Sequence, residues 1–150
     1  MTRPSDSDPA FTTAMREMSR AQVADIWRRG KAGEPQSLED LAHYHAMLDH
    51  PEYTDIWEHA AELGAREVEV NRVNPFLHVS LHSVIERQIA ERNPPDTEQT
   101  LFRLTRAGLD KHVAMHRIMA VLSEMMWEML KQQKVFDLAT YQRRLRSLKQ

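Results

Sequence analysis

Apolar residues return at intervals of three and four along most of this 150-residue chain, a period that favours helices over strands. Phe11, Ala14, Met15 and Met18 open the pattern. Ser19 with Gln22 reads as a capping box ahead of a stretch over 20–29, whose stripe is Val23, Ile26 and Trp27. Gly30 and Gly33 stop it, followed by Pro35. Ser37 with Asp40 starts a helix to about Asp49, with Leu38, Leu41, His45 and Leu48 as its inner face and Pro51 beyond it. A shorter helix over 55–63 carries Ile56, Ala60 and Leu63 and closes at Gly64. Val68 to Val73 alternates like a short extended piece, too little for a sheet.

Asn74 is a good N-cap with Pro75 in the first helical position, predicting a helix to about Arg92. Asn93-Pro94-Pro95-Asp96 breaks it. Thr97 caps the longest helix, running to about Lys134, and Asp137 caps a last one with Tyr141 and Leu145. The expectation is an all-α fold: a single-domain bundle of five to six helices with a long antiparallel hairpin (about 74–92 and 97–134). A disordered N-terminal extension over 1–10 precedes a single helical domain over 11–150.

Composition removes several function classes. With no cysteine there is no disulfide, thiolate nucleophile or sulfur-ligated metal. Only 4 Gly argue against a glycine-rich phosphate cradle, and a formal charge of -2 gives no global pull toward nucleic acid or an anionic membrane. The polar start and the lack of an apolar run near 20 residues predict a cytoplasmic protein without a membrane span.

Histidine carries the chemistry. His78 and His82 are four apart on one expected helix, and His112 and His116 are four apart on the next. Residues at that spacing share a helix face with Cβ atoms about 5–6 Å apart, close enough for two imidazoles to close on one metal. Random placement of 8 His among 150 positions gives roughly 0.4 such pairs, so two exceed chance modestly. On a wheel advancing about 100° per residue, His112 and His116 fall mid-stripe among Leu104, Gly108, Met115 and Met119. His78 and His82 lie at the edge of an apolar face with Leu81, Ile85 and Ile89. A buried imidazole without a partner costs roughly 1–3 kcal/mol, and a metal satisfies several at once.

Two antiparallel registers remain open. One sets His78 opposite Lys111 or His112; the other sets His78 opposite His116 and His82 opposite His112, with Glu86 facing Gly108. Glu86 and His45 complete the candidate ligand set of His78, His82, His112 and His116. His43 and His50 fall on the polar side of their helix, and Glu124 and Glu128 point toward another neighbour or solvent. Trp27, Trp57 and Trp127 read as core anchors.

Three blocks resemble a bacterial family of about 140–150 residues described as a domain of unknown function. They are His50-Pro51-Glu52-Tyr53; Asn74-Pro75-Phe76-Leu77-His78 with Leu81-His82 and Glu86; and His112 with His116, Met119, Glu124 and Trp127-Glu128. The resemblance spans most of residues 20–130, implies no activity, and raises the interest of His50, Glu124 and Glu128. His82-x-x-x-Glu86 followed by His112-x-x-x-His116 also resembles the middle of a hemerythrin motif, although no later His supplies the motif's final His-x-x-x-x-Asp.

Nitrogen-rich ligation without sulfur suits iron or zinc first, then manganese or nickel. The expected function is a transition-metal-binding helical protein, a hydrolase, oxidoreductase or metal sensor, with Glu86 as the nearest base if it is an enzyme. The alternative is a metal-free interaction module with structural histidines. A homo-oligomer or an unidentified protein partner is expected in either case.

Overall fold

A computed structural model describes the backbone of residues 9–149 and the side chains from Arg16 on, Glu17 and Met18 excepted. It is all-α: seven helices lie among the described residues, at α1 (Pro9–Ala32), α2 (Leu38–Leu48), α3 (Thr54–Glu58), α4 (Pro75–Glu91), α5 (Pro95–Arg106), α6 (Lys111–Gln132) and α7 (Leu138–Ser147). Short 3-10 turns at Pro51–Tyr53 and Ala60–Leu63 flank α3. The expected helix over 55–63 is therefore two pieces, parted at His59 with φ −120°. Val70 and Val73 form one antiparallel bridge and no strand. The chain divides into two compact units, one ending at Val79 and one starting at Ser80.

In the first unit, α1 runs without a break through Ser19 and Gln22, so no capping box interrupts it. No glycine or proline lies between Ala10 and Arg29 to stop the helical ladder. Of the expected extension, residues 1–8 lie outside the described residues, while Pro9 and Ala10 open α1. The helix ends in a Schellman turn at Gly33, with φ +70°, where Glu34 N donates to Arg29 O at 3.0 Å. Gly30 is not a stop: it stays inside the helix, and only glycine fits there because a Cβ would strike the Tyr44 ring.

That close approach turns α2 over. Ser37 Oγ accepts from Asp40 N at 3.1 Å, as its capping role requires. Ala46 and Met47 face the core, and Leu38, Leu41, His45 and Leu48 are exposed, with Leu38 at 82%. The expected inner face is thus the outer one. Small Ala46 and flexible Met47 admit the tight α1 contact that a leucine row would prevent. The core gathers Val23, Ile26, Trp27, Tyr53, Trp57 and Phe76, all buried.

The second unit corrects the hairpin. The expected helix over 97–134 is two helices, α5 and α6, because Gly108 sits at φ +110°. Leu109 N donates to Leu104 O and Gly108 N to Thr105 O, both at 3.1 Å, a complete Schellman pair. Asp110 Oδ1 then accepts from His112 N at 2.9 Å and starts α6. Gly108 is exposed and a Cβ on it would meet nothing within 4 Å, so it belongs to no buried stripe. The core gathers Ile85, Met115, Ile118, Met119, Leu122 and Tyr141, whereas Trp127, expected as a core anchor, is 65% exposed and anchors nothing. Gln88 Oε1 accepts from Thr97 Oγ1 and Tyr141 Oη, each at 2.8 Å, joining α4, α5 and α7. No described helix is long and apolar enough to cross a membrane.

Candidate metal centre

His82 enters the second unit from α4, and His112 and His116 from the first turns of α6. His82 is 1% exposed; the other two are half-buried. The i, i+4 spacing brings the rings of His112 and His116 to 4.1 Å between centroids. His82 stands 5.7 Å from His112 at 90° and 6.2 Å from His116 at 73°. The three rings face one another edge to face and none is stacked flat.

Tetrahedral ligation with M–N near 2.1 Å would place ring centroids about 5 Å apart, so His82 would have to close in by about 1 Å to share an ion with His112 and His116. Glu86, one turn beyond His82 on α4, puts Oε1 3.9 Å from His82 Nε2. That is too long for a hydrogen bond. Tetrahedral neighbours on one ion would stand about 3.4 Å apart, so Glu86 would have to swing in by about 0.5 Å to share an ion with His82. Asp110 pins the backbone of His112 by accepting from its N–H, which fixes the first turn of α6.

In the first unit, His78 meets His50. Their Nε2 atoms are 2.9 Å apart and their rings stand at 86°, 4.6 Å between centroids. His50 is 2% exposed, and its ring lies parallel to Tyr53 at 5.6 Å. Its Nδ1 faces Ala46 O at 2.8 Å. A carbonyl only accepts, so Nδ1 carries the hydrogen and the Nε2 of neutral His50 is a lone pair. A ring N–H held by a carbonyl is how metal-binding imidazoles are usually fixed.

The expected ligands therefore separate. His82, Glu86, His112 and His116 gather in the second unit, His78 pairs with His50 in the first, and His45 is exposed on α2. His50 was missed because a wheel over 38–49 places it on the polar side; the turn at Pro51 carries it inward, as does the reversal of α2. Its one legible signal was the His50-Pro51-Glu52-Tyr53 block. His43 also faces inward: its Nε2 is buried without a hydrogen-bond partner, and burial lowers its pKa against the pull of Asp40 and Glu39. Glu128 does point elsewhere, taking a bidentate pair from Arg144 with contacts at 3.2 and 2.9 Å. His59 Nδ1 is exposed and bonds Asp55 O at 3.0 Å.

Fold and cluster define an all-α protein with imidazoles and a carboxylate drawn together on two helices. The chain belongs to the family described as Domain of unknown function (DUF1841), whose model matches residues 15–147. No curated protein and no solved structure matches it.

Proposed function

We propose that the protein binds a transition-metal ion through His82, His112 and His116, with Glu86 as the carboxylate donor. The observation that carries this reading is the mutual approach of three imidazole rings within 6.2 Å, one of them fully buried, beside a carboxylate. Three nitrogens and one oxygen suit zinc or iron, and manganese or nickel after them. A bound ion would supply Lewis acidity toward water or oxygen. The His50–His78 pair is left out of this ligand set, because 2.9 Å between two ring nitrogens is the distance of a hydrogen bond.

Protein purified without an affinity tag should carry near-stoichiometric metal by elemental analysis. At about 100 times Kd, added metal should stabilise the fold by about 2.7 kcal/mol, and His116→Ala should lose both the metal and that gain. A protein that takes up none of the four metals, wild type included, overturns the reading.

A second reading, an interaction module, draws on the outer face of α2 and on α6, where Trp127 is 65% and Leu130 71% exposed. It predicts self-association, or a partner, unaffected by chelator. Light scattering on the chelated protein and on Leu38→Glu tests it.

A further inference from the structure

The first unit also holds a cavity of about 370 Å³ with a different chemistry. Arg16, Arg20 and Arg72 line it together with Glu67, Glu69 and Asn74. Arg20 is only 4% exposed. Its guanidinium donates to Gly64 O at 2.7 Å and lies 4.8 Å from the centroid of the Phe76 ring. No carboxylate pairs with it among the described residues, and burial with Arg16 one turn away lowers its pKa. A guanidinium has five N–H donors and sheds its proton with great difficulty, so one buried with no carboxylate paired to it among the described residues favours an incoming anion.

Arg72 reaches the same cavity at a cost in its own backbone. Asn71 and Arg72, at φ +52° and +66°, form the two-residue turn closed by Val70 and Val73. Such turns favour Asn-Gly, because a side chain at the second position is strained. An arginine sits where glycine fits better, and its side chain lines the cavity. It has no ion pair among the described residues. Glu67 holds Arg16 at 3.5 Å with its own side chain 87% exposed, a counter-ion easily displaced.

We infer that this cavity is an oxyanion site, taking the phosphate or carboxylate of a small organic ligand. Arg20 is its buried anchor, and Arg16 and Arg72 close on the anion from the rim. The volume falls in the range of small-molecule pockets, roughly 300–1,000 Å³, which leaves room for an organic body behind the charge.

The inference is independent of the metal reading. The test is a proton–nitrogen NMR titration of the full chain with sodium phosphate and, separately, sodium acetate, at ionic strength held constant with sodium chloride. Saturable shifts of the Arg20 side chain and of the Gly64 and Arg72 amides are expected, and the tighter anion names the ligand's charged group. Arg72→Gly should weaken binding about tenfold and raise the melting temperature, since the turn loses its strain. Arg16→Gln should weaken binding without that rise. Shifts that fail to saturate with either anion, or equal affinity in Arg72→Gly, overturn the inference.

Discussion

The Nε2 of His78 lies 2.9 Å from the Nε2 of His50, whose other nitrogen is already held by the Ala46 carbonyl at 2.8 Å. The bond to Ala46 decides which nitrogen of neutral His50 can accept. His50→Ala would leave a void under Tyr53 and remove that acceptor. We expect a loss of about 2–4 kcal/mol in urea unfolding. A change under about 0.5 kcal/mol would show that the pair adds nothing to the fold.

Gly30 is packed face-on by Tyr44, which lies 5.7 Å from Trp27. On an exposed helix Gly→Ala would gain about 1 kcal/mol. Here the added methyl must displace an aromatic ring, and Gly30→Ala should cost about 1–3 kcal/mol. Gly30→Ala with Tyr44→Ala should cost less than the two singles summed, which a double-mutant cycle measures directly.

Gly108, at φ +110°, divides α5 from α6. If α5 and α6 were one helix, Gly108→Ala would stabilise it. With the observed turn, alanine is strained, and we expect a loss of about 1 kcal/mol or more, read from the melting curve. Asp110→Ala should cost about 1 kcal/mol by removing the cap on His112 and Val113.

His43 gives stability a pH dependence of known sign. Burial lowers its folded pKa below the unfolded value, so the unfolded chain binds the proton first. Stability is then full above the ordinary imidazole pKa of about 6.5 and falls on acidification toward the folded pKa. His43→Phe should flatten the drop in unfolding free energy between about pH 7.5 and 5.5; an unchanged slope would locate the titration elsewhere.

Caps were legible in part: Ser19 and Thr97 are not caps but lie inside α1 and α5, the latter opening at Pro95. Ser37, Asn74 and Asp137 each accept a backbone N–H at the position expected of them, because an N-cap is decided by local hydrogen bonding. Gly108 misled because a 3.6-residue apolar period can continue across a turn; the pair Gly108 and Asp110, a stop followed by a cap, was the overlooked signal. The facing of α2 could not be read from its leucines, since its neighbour is fixed by the Gly30–Tyr44 contact, a long-range fact. Of the candidate ligands, the i, i+4 rule brought His112 to His116. That His82 meets both depends on how two separate helices pack, which spacing along one helix does not encode.

The 3 tryptophans of this chain divide unevenly. Trp27 and Trp57, 7% and 1% exposed, lie in the first unit, while Trp127 in the second is 65% exposed. Indole emission changes on denaturation mainly where a ring leaves a dry setting for water. The fluorescence signal of a melt therefore comes chiefly from the N-terminal half, and a difference between that curve and one followed by circular dichroism would reveal a half bearing the imidazole cluster that unravels on its own.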